Sequence, residues 1–114
     1  MRSKFKAGFY PGWDGGYVKD FLESMEKDSA AQIRADIRIL SSGWPHPEGL
    51  TIKYLAGYAS LKELRVEHEG AVYSVFFCVK GNRIWLVHAV PKQSGKTSSN
   101  DILIAYGRMR DLFR

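Results

Sequence analysis

The feature of this sequence that most constrains its fold is a series of three strand-like runs within residues 61–97, followed by a basic loop. Residues 61–69 alternate between apolar and charged side chains, the pattern of a strand with one face against a core. Residues 71–79 and 83–90 are rich in aromatic and β-branched types, as strands covered on both faces are. Gly81-Asn82 is a two-residue hairpin signal between them, because both residues tolerate positive φ. The three runs therefore predict an antiparallel meander.

Two helices are predicted upstream of the meander. Residues 4–10 are expected to form a short strand, and apolar residues at helical spacing over 17–26 predict a first helix. Asp28-Ser29 is a cap signal for a second helix, which the prolines and glycines of 41–49 bring to an end in a loop. Residues 51–56 fit either a short strand or an irregular run. The two apolar stripes comprise Tyr17, Phe21, Leu22 and Met25 in the first helix, and Ala30, Ile33, Ile37 and Leu40 in the second.

A closing helix is predicted after the basic loop. Ser98 and Asp101, three residues apart, form a capping pair, and an apolar stripe at helical spacing follows them. The stripe comprises Ile102, Ala105, Tyr106 and Met109, with Leu112 or Phe113 at its end, and the outer face carries Arg108, Arg110 and Asp111. Together the elements predict a single α+β domain over residues 1–114, with topology β-α-α-β-β-β-α and an antiparallel sheet packed on the helices.

Length and cysteine content limit the classes of protein. A chain of 114 residues can bury a core without disulfides or metal. The single cysteine, Cys78, excludes an internal disulfide and is typical of a reducing cytoplasm. Because Cys78 falls in an apolar strand, we expect inert packing rather than a nucleophile. No secretory segment follows Met1, and no apolar run approaches the ~20 residues of a membrane span. We therefore expect a cytoplasmic protein without membrane contact.

The distribution of charge favours a polyanionic partner. The net charge is +5 and the pI is about 9.4. Between Gly70 and Asn100 there is no Asp or Glu, while this window contains Lys80, Arg83, Lys92 and Lys96. An exposed face built from it should be positive. The histidines have no ligand spacing, and no zinc, Walker or dinucleotide motif is present, so we predict neither metal nor cofactor.

The order of these pieces resembles a known family. ELR at residues 63–65 is followed by a hairpin, then VYSVFF at 72–77, a strand with His88 near its end, and a loop with K…KT before a helix. This order is similar to that of the RelE/HigB superfamily, and more narrowly to the phage-derived HigB-like toxins of type II toxin–antitoxin pairs. The resemblance is best over residues 50–113 and weaker, though in register, over 4–42. It implies a RelE-like fold.

The resemblance also implies catalytic residues. Lys92 and Lys96 match the K…KT motif, Arg65 matches the arginine of ELR, and His88 matches a histidine at the end of the last strand. Metal-free RNA cleavage needs the ribose 2′-hydroxyl deprotonated, the phosphate charge neutralised and the leaving 5′ oxygen protonated. Lys, Arg, His and Tyr can supply all of these functions. Arg65, Lys92, Lys96 and His88 are therefore the expected catalytic residues.

Each of them also has a structural interpretation. Loop lysines are usually solvated, and Arg65 shares the outward face of its strand with Glu63 and Glu67, where a surface ion pair is worth little. The parity of His88 is that of Leu86 and Val90, which suits a core histidine equally well.

Four further residues are expected to bind RNA. Lys53 matches a family lysine two residues before a leucine, Thr97 completes K…KT, and Tyr106 lies near the start of the closing helix, where an aromatic ring can stack on a base. Ser74 stands where the family usually has an arginine. If the Ser74 face is open, an arginine there would point toward the phosphate. If that face is packed under a helix, an arginine would bury an unpaired charge.

The resemblance implies a toxin that cleaves mRNA on the ribosome as a metal-independent endoribonuclease and that a small helix-turn-helix antitoxin neutralises. Ser74 in place of arginine favours a second interpretation, a catalytically weak module of the same fold that binds antitoxin or RNA without cleavage. A third, a basic structural protein of phage origin, rests on no specific feature. Composition and pattern alone indicate only a basic α+β domain with a positive loop.

Overall fold

The structure is a computed structural model that describes residues 4–92 and 96–114. Its elements, in chain order, are β1 (Lys6–Phe9), α1 (Tyr17–Ser24), α2 (Lys27–Gly43), β2 (Thr51–Tyr54), β3 (Lys62–His68), β4 (Ala71–Lys80), β5 (Arg83–Lys92) and α3 (Ser99–Leu112). The strands form a five-stranded sheet in the order β1-β5-β4-β3-β2. The predicted α+β class is confirmed. The sheet is mixed rather than wholly antiparallel, because the edge strand β1 pairs in parallel with β5.

The predicted meander forms the centre of the sheet. β3 pairs with β4 and β4 with β5, both in antiparallel orientation. Glu69 and Gly70 turn the first hairpin at φ 50° and 84°, and Gly81 turns the second at φ 62°. These are left-handed conformations of the kind that two-residue hairpins need. Residues 51–54, for which the sequence left two alternatives, form β2 beside β3, so the topology contains one more strand than predicted.

Helices cover both faces of the sheet. α1 and α2 pack on one face, where the buried cluster includes Leu22, Ile33 and Phe77. α3 packs on the other face, where Met109 lies in a second cluster with Phe76. Because successive strand residues point to opposite faces, the neighbours Phe76 and Phe77 belong to different clusters. A strand that contributes to two cores is apolar on both faces, which explains the continuous apolar run at residues 75–79 of β4.

The first two helices differ from prediction at their junction. The stripe predicted for α2 is buried throughout. Its cap, however, is Glu26, whose carboxylate accepts hydrogen bonds from the backbone N–H groups of Asp28 and Ser29, so the predicted Asp28-Ser29 cap is wrong. Because Met25 and Glu26 have extended backbone to cap α2, α1 ends at Ser24.

Two further differences concern the faces and ends of these helices. Tyr17, predicted to be in the buried stripe of α1, is 51% exposed, and Val18 is buried in its place. α2 continues to Gly43, into the predicted loop. No helix in the described part of the chain is long and apolar enough to cross a membrane.

The closing helix begins as predicted and differs on its outer face. The Ser98 side chain caps α3 by accepting a hydrogen bond from the Asp101 N–H. Of the two residues expected at the end of the stripe, Leu112 packs against the second cluster, whereas Phe113 follows the end of the helix and is 49% exposed. Arg108, predicted on the outer face, turns toward the sheet and donates a hydrogen bond to the Val87 carbonyl oxygen at 2.9 Å.

A β-bulge in β5 reverses the direction of one predicted site residue. The pairing of β4 with β5 shifts between Phe76 and Phe77, so that Leu86 lies opposite Phe77 and His88 lies opposite Phe76. Val87 is the extra residue on β5. His88 consequently projects toward α3, whereas Leu86 packs in the cluster with α1 and α2. The common parity predicted for Leu86 and His88 is wrong, because a bulge breaks the alternation on which it rests.

Candidate functional site

Several predicted site residues share the face of the sheet that α3 covers. Residues directly opposite one another on antiparallel strands project to the same side. Lys53 of β2 lies opposite Glu63 of β3, and Glu63 lies opposite Phe76, which packs against α3. Two residues further along β3, Arg65 lies opposite Ser74. Lys53, Glu63, Arg65 and Ser74 are therefore neighbours on the α3 face.

Glu63 is the centre of a buried hydrogen-bond network on this face. Its side chain is 0% exposed. Thr97 Oγ1 donates to Oε1 at 2.7 Å, Lys92 Nζ donates to Oε2 at 3.3 Å, and the Ser74 hydroxyl donates to the same Oε2. Lys92 Nζ also donates to Thr97 Oγ1 at 3.1 Å. The network ties the end of β5 and the segment before α3 to the middle of the sheet.

The environment of Glu63 favours its ionised form. Burial opposes ionisation and by itself would raise the pKa of the carboxyl group. The hydrogen bonds from Ser74 and Thr97, together with the positive charge of Lys92, outweigh burial and hold the pKa of Glu63 below its ordinary value. Glu63 and Lys92 therefore form a buried ion pair. Such a pair is sensitive to loss of either partner, because the remaining charge is left uncompensated.

Lys92 has a different environment from the one the sequence predicts. It is the last residue of β5 rather than a loop residue, and its side chain is 4% exposed. The interpretation of Lys92 as a solvated loop lysine is wrong, because the ammonium group turns inward to the Glu63 carboxylate. The predicted basic loop continues through residues 93–95, which lie outside the described residues. Among the described residues, Lys92 contacts both Glu63 and Thr97, and the Glu63 carboxylate compensates its charge.

Ser74 belongs to the packed interior. It is 1% exposed, and its hydroxyl is engaged by Glu63. Of the two alternatives for this face, open and packed, the structure has the packed one at Ser74. An arginine at this position would bring a second cation to the Glu63 carboxylate, where it would compete with Lys92.

A cleft of about 240 Å³ opens beside this network, at the N-terminus of α3. Its lining includes Ser74, Lys92, Lys96, Thr97, Ser98 and Asp101. The first turn of a helix has N–H groups without intrahelical partners and carries the positive end of the helix dipole, which favours anions. Lys96 is exposed and adds a cation to the same opening. The cleft can therefore accept a phosphate group.

His88 lies behind the cleft, in a chain of polar contacts that joins β5 to α3. Its ring stacks on Phe76, with centroids 5.7 Å apart. Nε2 lies 2.9 Å from Asp101 Oδ1, and Nδ1 lies 3.3 Å from Arg108 Nη1. The His88 side chain is only 13% exposed. Because Asp101 lines the cleft and His88 does not, the contact of His88 with the cleft runs through Asp101.

The other predicted residues are placed in two ways. Arg65 is half-buried and Lys53 is exposed, and both lie on the α3 face. Lys96 is part of the cleft lining. Tyr106 lies away from that lining, where its ring packs edge-on against Tyr58 with centroids 5.3 Å apart. The structure thus brings the cations and Thr97 together and assigns Tyr106 to the packing of α3.

Sequence reasoning missed Glu63, Asp101 and Arg108 as members of the site. Strand alternation puts Glu63 on a charged outer face, and Asp101 is identified only as a helix-capping residue. One signal for Glu63 was available, because it is the first residue of the ELR motif on which the resemblance rests. Nothing in the pattern indicates the inward turn of Arg108, since that turn depends on the carbonyl group of Val87 at the bulge.

The described residues show neither a metal-ligand cluster nor a reactive thiol. Across residues 4–92 and 96–114, no group of three or more His, Cys, Asp and Glu side chains is arranged to hold a metal ion. Cys78 is fully buried, and burial raises the pKa of its thiol to about 12. The predicted packing of Cys78 within an apolar strand is therefore confirmed, and an unreactive thiol is expected from it.

A family profile matches most of the chain. The family is described as phage-derived protein Gp49-like (DUF891), and the match covers residues 20–110. This segment runs from α1 into α3 and includes Glu63, His88 and the cleft. No curated protein and no solved structure matches the chain. Because the matched residues make up more than half of its length, the protein belongs to the phage-derived Gp49-like family.

Proposed function

We propose that this protein is the toxin of a type II toxin–antitoxin pair and that it cleaves mRNA as a metal-independent endoribonuclease on the ribosome. Three lines support the proposal. The Gp49-like family is associated with toxin–antitoxin systems. The order of motifs resembles that of the RelE/HigB superfamily. The observation that carries the proposal is the cleft at the N-terminus of α3, which offers a phosphate both Lys96 and the helix terminus. A helix-turn-helix antitoxin is the partner that this assignment implies.

The arrangement of cations suits a single RNA strand. One phosphate fits the cleft beside Lys96. Ser74 lines the cleft, and Arg65 lies directly opposite Ser74 on the next strand, so Arg65 is the adjacent cation. Lys53 follows on the edge strand β2. In this assignment the three side chains bind successive phosphates, and the cation nearest the scissile one neutralises the charge that grows during cleavage.

The non-cleaving binding module is the second candidate, and a specific observation favours it. The Ser74 hydroxyl and the Lys92 ammonium group are both directed at Glu63. Neither Ser74 nor Lys92, two of the residues predicted for the site, therefore offers a substrate an uncompensated positive charge. In this candidate function the cleft binds RNA and releases it without cleaving it.

Expression of the chain alone tests the proposed function first. We expect growth arrest upon induction, rescue by co-expression of the neighbouring reading frame, and new mRNA 5′ ends in the arrested cells. Purified protein incubated with ribosomes and mRNA should give the same ends. Cleavage of ribosome-free RNA should persist in EDTA if the ribosome is dispensable. Soluble expression with normal growth and intact mRNA would favour the binding module.

A lysine pair then tests the location of the site. Lys96→Ala should weaken RNA binding by roughly 10-fold or more, because a charge-assisted contact is worth about 1.5–3 kcal/mol, and should reduce the salt dependence of binding by about one phosphate. Lys27 is the matched control, since it is an exposed lysine at the start of α2, on the opposite face of the sheet. Equal effects of Lys96→Ala and Lys27→Ala would place the RNA elsewhere.

A further inference from the structure

The contacts of Arg108 determine which nitrogen of His88 carries a proton. Arg108 Nη1 lies 3.3 Å from His88 Nδ1, and a guanidinium group can only donate hydrogen bonds. Nδ1 must therefore accept, which leaves the ring proton on Nε2. Nε2 lies 2.9 Å from Asp101 Oδ1, so His88 donates this proton in a hydrogen bond to the carboxylate. His88 is then a neutral donor whose two ring nitrogens are both engaged.

Arg108 is itself held by two contacts, so each hydrogen bond in the series from Arg108 to Asp101 has a fixed direction of donation. Its Nη1 donates to the Val87 carbonyl oxygen at 2.9 Å, and its guanidinium carbon lies 3.7 Å from the centroid of the Tyr17 ring. The sequence of contacts thus runs from Tyr17 and Arg108 through His88 to Asp101. Its last member is a carboxylate at the wall of the cleft.

Asp101 supplies a proton-accepting carboxylate to the cleft. Among the described residues of the cleft lining, it is the sole one with a carboxylate. Lys92 donates its hydrogen bonds to Glu63 and Thr97, and the Nε2 atom of His88 already carries a proton. A general base must lie within reach of the substrate and must have an atom free to accept a proton. Lys92 and His88 have no such atom available.

We propose that Asp101 is the general base of RNA cleavage and that His88, held by Arg108, is the residue that positions it. The proposal rests on the proposed ribonuclease function. In the reaction, the 2′-hydroxyl proton passes to the Asp101 carboxylate while the 2′ oxygen bonds to phosphorus. The bond from phosphorus to the 5′ oxygen breaks, and that oxygen takes a proton from the Lys96 ammonium group. The products are a 2′,3′-cyclic phosphate and a 5′-hydroxyl end, and the two proton transfers leave the total charge unchanged.

The principal variant is Asp101→Asn. Asparagine keeps an oxygen that accepts the His88 hydrogen bond and removes the basic group. We expect the cleavage rate to fall by about 10²–10⁴-fold. Affinity for an uncleavable 2′-deoxy-substituted RNA should be unchanged or higher, because a negative charge near the phosphate is lost. Wild-type cleavage in the Asp101→Asn variant would overturn the proposal, as would loss of cleavage in parallel with loss of RNA affinity or of folding.

His88→Gln separates positioning from general packing. The glutamine amide can donate to Asp101 in the place of Nε2, so we expect kcat to fall less than in His88→Ala while RNA affinity stays the same in both. Equal kcat values in the two variants would show that the hydrogen bond to Asp101 has no role. Nitrogen chemical shifts of the wild-type imidazole give a second readout that does not depend on activity. They should report the Nε2–H tautomer, and the Nδ1–H tautomer would overturn the assignment.

Failure of the proposed function is distinguishable from failure of this inference. If the wild-type protein binds RNA without cleaving it, the ribonuclease function itself is refuted. If the wild-type protein cleaves and Asp101→Asn cleaves equally well, the function stands and the assignment of the base is refuted.

Discussion

Replacing Lys92 with methionine removes the positive charge beside a buried carboxylate and keeps a side chain of similar length. Removing one partner of a buried ion pair typically destabilises a protein by about 3–5 kcal/mol, because the other charge is left uncompensated. Here the Ser74 and Thr97 hydroxyls still donate to Glu63, and this offsets part of the loss. We therefore expect Lys92→Met to lower the free energy of unfolding by roughly 2–4 kcal/mol. For a chain of this size that is a decrease in Tm of about 8–16 °C.

The pH dependence of this effect has a definite sign. In the wild-type protein the folded-state pKa of Glu63 is lowered, so its contribution to stability is present above the unfolded pKa of about 4.3 and is lost as the pH falls through the folded value. Without Lys92, its positive charge and hydrogen bond no longer lower the pKa of Glu63, so the folded-state pKa rises relative to that in the wild-type protein. The stability difference between variant and wild type should then be largest at neutral pH and should shrink as the pH approaches ~4.

Denaturant and thermal unfolding at neutral and at mildly acidic pH measure both effects. Lys53→Met is the matched control, because Lys53 lies on the same face, directly opposite Glu63, and is exposed. It should change stability by no more than about 0.5 kcal/mol. The double variant Glu63→Gln/Lys92→Met should be more stable than the sum of the single changes implies. If Lys92→Met destabilises the protein no more than Lys53→Met does, or if its effect does not change with pH, Lys92 and Glu63 do not form a stabilising buried ion pair.

Two further outcomes test the same interior. Ser74→Ala should lower the free energy of unfolding by about 1–2 kcal/mol, since Glu63 loses a hydrogen bond to a buried charge, and equal stability to the wild type in denaturant titrations would contradict the network. Cys78 should react with thiol reagents only in unfolded protein, because it is fully buried and its thiol pKa is raised to about 12. Rapid labelling under native conditions would show that the buried cluster under α3, to which Cys78 belongs, opens in the folded protein.

Local sequence patterns determined most of the fold. The antiparallel meander follows from runs of β-forming residues and from turn residues that accept positive φ, and these depend on neighbours along the chain. The stripe of α2 and the Ser98 cap are equally local and are confirmed. The helix junction at Glu26 was missed, because a glutamate is an uncommon cap and the better-known signal of Asp28-Ser29 lies just beyond it.

The site depended on contacts that no local pattern encodes. Alternation correctly separates Glu63 from Leu64, yet it cannot show that the side chains of Lys92 and Thr97 contact the Glu63 carboxylate, which is buried rather than exposed. The bulge at Val87 reverses His88 for a similar reason, since the extra residue is defined by the pairing of two strands and by neither strand alone. The amino-acid sequence alone specifies which cationic and hydroxyl-bearing side chains the chain carries. Tertiary packing sets which of them are exposed and which are buried, because burial and the choice of partner arise only when distant segments pack together.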